Sequence, residues 1–141
     1  NELVSLMTFG NLRKNLGQTH KEGHYELLRF CNKLYTNVVG GASKLLKHFE
    51  KKYQPVSIIS YADRRWSNGG LYNSLGFDFV SYSEPNYFYI KNAKRENRFK
   101  YRKSELVKQG FDADKTEKQI MEERGYKRIY DCGTMKFVKK Y

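Results

Sequence analysis

Long apolar runs are missing from this sequence. No stretch approaches the roughly 20 residues that span a bilayer, and no long basic amphipathic helix suggests attachment to a membrane surface, so no membrane partner is expected. Cysteine is scarce. Cys31 and Cys132 lie far apart in apolar, strand-like stretches, which predicts two buried thiols in a reducing compartment. A metal-ligand set is also lacking. His20 and His24 stand four residues apart, but a metal would need two more ligands nearby, and their polar surroundings predict a solvated pair. Acidic side chains are outnumbered, 15 against 27 basic ones, giving a net charge of +12. Such an excess opposes compactness by self-repulsion and favours a polyanionic partner, with nucleic acid the first candidate and an anionic membrane surface the second. Finally, the chain lacks an initial Met. It begins at Asn1, and Glu2–Met7 already reads as a strand, so a fragment without its N-terminal part is expected.

What is present suits one soluble domain, 1–141, with a real core: 141 residues, 39% hydrophobic and 30% charged. Residues 2–9 read as a mostly buried strand and 10–23 as a loop. Residues 25–31 form a second strand, with Glu26 and Arg29 as unusual charges inside it. Glu26 has two readings, an ion pair or a site in the sheet. From Ala42, apolar residues at 42, 45, 46, 49 and 53 keep helical spacing, with Lys44, Lys47, Lys51 and Lys52 on the other face. Residues 56–61 read as a buried strand and 69–75 as a short helix stopped by Gly76. Strands 77–82 and 87–91 are expected to form a hairpin around Pro85-Asn86. A helix at about 114–124 carries a Thr116/Gln119 capping box and stops at Gly125. Residues 126–132 and 134–139 read as a closing hairpin turned at Gly133. Leu75-Gly76-Phe77 followed by Tyr87–Lys91 echoes Arg124-Gly125-Tyr126 followed by Met135–Lys139. Duplication and a common hairpin ending both account for the echo.

Three stretches carry candidate chemistry. A strand leading into Gly40-Gly41-Ala42 and a helix can aim free backbone N–H groups at an anion, with a plain loop-to-helix turn as the alternative. In the turn Asp63-Arg64-Arg65-Trp66, Arg64 and Arg65 can meet phosphates. Trp66 can stack on a base or plug the core, and Asp63 and Trp66 read first as a structural corner. Residues 91–103 hold seven basic side chains against one acidic, interleaved with Phe99 and Tyr101. Lys94, Arg95, Arg98, Lys100, Arg102 and Lys103 are the phosphate-binding candidates of this basic segment, with a solvated basic loop as the alternative.

Two resemblances follow from these phrases. Asn37-Val38-Val39-Gly40-Gly41-Ala42 resembles the pyrophosphate loop of the GNAT acyltransferase superfamily, with Asn37 where that pattern has Gln or Arg. Leu71-Tyr72-Asn73-Ser74-Leu75-Gly76-Phe77 resembles the LYxxLGF ending of that superfamily's last main helix. Over residues 2–91, the resemblance implies an α/β fold: a GNAT-like mixed, largely antiparallel sheet flanked by helices, N-terminally incomplete. It further implies acetyl-CoA or another acyl-CoA held by Val39, Gly40, Gly41 and Ala42. Tyr72 would be the general acid toward the thiolate, and Glu26 a general base. A longer set of phrases covers nearly the whole chain, among them YELLRFCNKL, SIISYADRRWSNGGLYNSLGF and RGYKRIYDCG. These look like the C-terminal region of phage-type homing endonucleases. That resemblance implies a DNA-associated module whose cutting residues belong to an upstream nuclease module similar to very-short-patch-repair nucleases, working in the cytoplasm of an infected bacterial host. The sequence thus points first to a DNA-binding or accessory module, and second to an acyl-CoA-dependent N-acyltransferase acting on a nucleic-acid or basic-protein amine.

Overall fold

The computed structural model describes residues 2–13 and 17–141; Asn1 and residues 14–16 of the expected loop lie outside the described residues. In chain order the elements are β1 (Ser5–Asn11), β2 (His24–Asn32), α1 (Gly41–Tyr53), β3 (Ser57–Asp63), α2 (Gly70–Ser74), β4 (Asp78–Tyr82), β5 (Tyr87–Lys91), β6 (Lys94–Asn97), a 3-10 turn (Arg98–Tyr101), α3 (Lys103–Lys108), α4 (Glu117–Glu123), β7 (Lys127–Tyr130) and β8 (Thr134–Lys140). The fold is mixed α/β, with a largely antiparallel sheet flanked by helices. No helix among the described residues is long and apolar enough to cross a membrane. The chain divides into two compact units. One is Asn1–Ser83 with Thr134–Tyr141; the other is Glu84–Gly133.

The first unit holds a five-stranded sheet in the order β1-β2-β3-β8-β4. Only β2 and β3 run parallel, and they pair over just four residues, His24–Leu27 against Ser57–Ser60. α1 covers one face because its apolar stripe delivers Leu46 and Phe49 into a core with Leu27, Ile58, Phe77, Met135 and Phe137. Its four lysines stay exposed, and Lys51 and Lys52 in the last turn suit the negative end of the helix dipole. β1 is an edge strand, so it is half-exposed rather than mostly buried as its composition suggests. Cys31 is exposed too, contrary to expectation. It lies beyond Leu27, where β2 has lost β3 as a neighbour, and Cys132 sits exposed outside any strand. His24 is the first residue of β2, and its Nδ1 lies 2.7 Å from the Ser57 hydroxyl.

The second unit is a three-stranded antiparallel sheet, β6-β5-β7, with a small core of Tyr89 from β5, Tyr101 from the 3-10 turn, Leu106 from α3, and Ile120 and Met121 from α4. The capping box forms as expected. The Gln119 N–H donates to the Thr116 hydroxyl at 3.2 Å, and the Thr116 N–H donates to the Gln119 side chain at 2.8 Å.

Neither expected hairpin forms. β4 pairs with β8, and β5 pairs with β7 and β6. The two echoing segments explain why. After each short helix a glycine at φ 76° or 81° closes the same C-terminal motif. The Phe77 N–H reaches the Tyr72 carbonyl at 3.0 Å, and the Tyr126 N–H reaches the Met121 carbonyl at 2.9 Å. The strand after each glycine then takes the other echo's second strand as its partner. Phe79, three residues after Gly76, faces Phe137; Arg128, three residues after Gly125, faces Tyr89. Register is the same up to this rung, after which β4 shifts by one residue against β8, and partners are exchanged. In the first unit Ser83 and Thr134 tie the chain where it leaves and returns. The Ser83 N–H donates to the Thr134 carbonyl at 2.8 Å, and the Thr134 N–H donates to the Ser83 hydroxyl at 2.8 Å.

Candidate nucleic-acid interface

The turn after β3 is a corner built on Asp63. Its carbonyl accepts from the Trp66 N–H at 3.1 Å and the Ser67 N–H at 3.0 Å, and its carboxylate from the Arg65 N–H at 2.9 Å. The Arg65 guanidinium grips the same carboxylate through Nε, at 3.0 Å, and a terminal nitrogen. These hydrogen bonds from Arg65 hold the Asp63 carboxyl below its ordinary range, against the smaller opposing effect of burial. Asp63 thus fixes the corner by pairing with an arginine. Trp66 does not plug the core: 84% of its surface is exposed. Arg64, just before Arg65, stands with its guanidinium 4.6 Å over the Tyr82 ring.

Residues 91–103 are structured. They run through the end of β5, all of β6, the 3-10 turn and the start of α3. Period-two alternation in β6 turns Glu96 inward, where its carboxylate accepts from the Tyr101 hydroxyl and has Lys94 and Lys100 ammonium groups 3.7 and 3.9 Å away. The Tyr101 bond and then the two lysines keep the Glu96 carboxyl below its ordinary range. Burial, then Glu96, raises the Tyr101 phenol. Three arginines instead lie over rings: Arg95 at 4.8 Å on Phe88, Arg98 at 4.8 Å on Tyr87, and Arg102 at 4.3 Å on Phe99. Arg128, which no sequence pattern singles out, adds a second guanidinium 4.1 Å over Tyr87. Lys103 opens α3, exposed. Guanidinium planes held on rings lose little freedom when they bind phosphate, because packing has already oriented them.

A second constellation lies where β2 and β3 part, in the first unit. The Ser60 hydroxyl donates to the Leu27 carbonyl at 2.8 Å and lies 3.0 Å from the Tyr72 hydroxyl. The Tyr72 ring is stacked 4.7 Å from Phe137. Ser60 is hidden inside the apolar run VSIISY, and its only signal in the sequence is a hydroxyl within a buried strand. Glu26 is 1% exposed and ion-paired with Arg13, whose Nε donates at 2.8 Å. Burial, then the Glu26 charge, raises the nearby Tyr61 phenol. Leu27 shares the face of the Ser60 and Tyr72 groups, so Glu26, one residue earlier, points to the other face. The structure does not bring Glu26 and Tyr72 together.

No family model and no curated protein matches this chain. The candidate sites therefore rest on their own geometry. At the glycine loop, Val38 and Val39 are not a strand, since β2 has already ended at Asn32. Gly40 caps α1 and Gly41 opens it, as expected, but the Gly41 N–H is committed to the Val38 carbonyl at 3.0 Å. Val39 is 87% exposed, and Ala42 packs on the core. The first turn carries no acidic residue and no side-chain cap, so the positive end of the helix dipole is unopposed there. Among the described residues no three His, Cys, Asp or Glu side chains gather as metal ligands.

Proposed function

We propose that the chain is a DNA-binding module serving an endonuclease of the phage homing type, whose cutting residues lie in a separate nuclease module. The observation that carries this reading is the layering of Arg95, Arg98, Arg102 and Arg128 on Phe88, Tyr87 and Phe99 in a chain of net charge +12. Cations oriented in this way bind a phosphate backbone by releasing counterions, which makes affinity fall with salt. Arg64 in the first unit adds one more cation, while Arg65 is engaged by Asp63. The phrase-level likeness to phage homing endonucleases supports DNA over other polyanions.

The test is a salt titration of duplex binding. Changing Lys94, Arg95, Arg98 and Lys100 to Gln together is expected to weaken binding by roughly 100-fold at low salt. The log–log salt slope should also flatten by about 0.9 for every phosphate that the variant no longer neutralises. Affinity that survives the fourfold change would remove this segment from the footprint.

A second reading has its own support. Parallel strands whose pairing stops after four residues, with the Tyr72 hydroxyl beside Ser60 of the last pair, support it, because a phenol can protonate a departing thiolate. Val39, Gly40, Gly41 and Ala42 would hold the pyrophosphate at the start of α1. Acetyl-CoA is then expected to give calorimetric heat at millimolar concentration or below, abolished in Gly41→Glu. No heat at that concentration removes the acyltransferase reading.

A further inference from the structure

We propose that Trp66 and Tyr82 form a stacking surface for an unpaired DNA strand, an inference that rests on the DNA-binding reading and narrows its ligand to single-stranded DNA. Three observations in the first unit carry it. The chain's single tryptophan is 84% exposed, yet its backbone is pinned, with the Trp66 N–H on the Asp63 carbonyl at 3.1 Å. It is therefore a ring on a fixed backbone that covers no core. Tyr82 is 61% exposed and belongs to a row. The Arg64 guanidinium lies 4.6 Å over its ring, the Phe79 ring is 4.8 Å away, and Phe79 meets the buried Phe137 edge-on at 5.9 Å. A regular strand would send residues 79 and 82 to opposite faces. The irregularity between Phe79 and Ser81 in the pairing of β4 with β8 puts them on the same one. Third, β4 is the sheet's other edge, exposed along its whole length.

The chemistry selects the occupant. A duplex buries the faces of its bases in its own stack, so protein rings meet them only when the strand is unpaired. Every base has a π face, so rings of this kind accept any sequence, while neighbouring cations hold the phosphates. Arg64, two residues before Trp66, supplies complementary charge next to Tyr82. An endonuclease that opens or nicks its site generates such a strand.

Trp66 is also the reporter. The full chain is titrated at low salt with dye-labelled oligothymidylate of about 20 nucleotides, or with a duplex of that length, following both dye anisotropy and tryptophan emission. Stacking is expected to quench emission by roughly half with the single strand and to leave it nearly unchanged with the duplex. Trp66→Ala should weaken single-strand binding about 10-fold, and Trp66→Phe should restore most of the loss. An 84% exposed side chain supports no core, so both variants are expected to fold, and circular dichroism verifies it. Single-strand binding without quenching, unaltered affinity in Trp66→Ala, or binding of the duplex alone overturns the stacking proposal and leaves the DNA-binding reading standing. Failure of both nucleic acids to bind overturns that reading and this proposal with it.

Discussion

Gly69→Ala is expected to destabilise the first unit by on the order of 4 kcal/mol, read as a lower midpoint with unchanged slope in urea unfolding. Two costs add. Gly69 caps α2 at φ 85°, a left-handed conformation that costs an L-residue about 1–2 kcal/mol. A Cβ there would also stand 2.5 Å from Cζ of Phe137, inside contact distance of a ring that is 2% exposed at the centre of the core. The ring cannot retreat, because Tyr72 is stacked on it and Phe79 meets it edge-on. Overpacking of this kind costs about 1–3 kcal/mol. Shortening the obstacle in a Gly69→Ala, Phe137→Leu pair should recover part of the loss relative to the sum of the single changes. A Gly69→Ala midpoint within error of the parent would mean that α2 shifts freely, and the fork geometry around Tyr72 would lose its fixed frame.

The second large effect concerns the other unit. Leu106→Ala should cost about 3 kcal/mol and unfold the Glu84–Gly133 unit near room temperature. Leu106 is 0% exposed and comes from α3, which is only six residues long. The buried core it joins contains only four other side chains among the described residues: Tyr89, Tyr101, Ile120 and Met121. Units of roughly 50 residues are marginal, so one truncated anchor removes a large share of what holds them. Hydrogen exchange checks this. Protection should vanish in β5, β6 and β7, and with it the placement of Arg95, Arg98 and Arg128 over their rings. Retained protection in those strands would show that α3 is dispensable to the sheet.

Local signals are legible in the sequence. The apolar stripe of α1 and the capping box of α4 depend on neighbours within one or two turns, as do the glycine stops at 76 and 125, and all are readable. Strand partners are not. A hairpin is the cheapest closure for two strands joined by a turn. Here the chain places a whole unit between β4 and β8, and nothing local to Pro85 or Gly133 reports that. The exposed cysteines share this origin. Burial of Cys31 depends on how far β3 accompanies β2, and that is a tertiary fact. The basic stretch is recognisable as dense charge. Its division into ring-borne arginines and Glu96-bound lysines comes partly from alternation in β6, which separates Arg95 from Lys94 and Glu96, and partly from the 3-10 turn that carries Arg98 and Lys100. Of the candidate sites, Tyr72 is readable from its phrase, while its contact with Ser60 is not.

The joint between Ser83 and Thr134 has a consequence for the ancestry of such chains. Two residues already hydrogen-bonded across adjacent antiparallel strands are the right distance apart for the tightest of reverse turns. An ancestor joined there by two residues would have kept every pairing of the five-stranded sheet, and gaining about fifty residues at that point would have disturbed none of them. The doorway is one ladder rung wide. A segment can be exchanged through it while the scaffold on either side keeps its register.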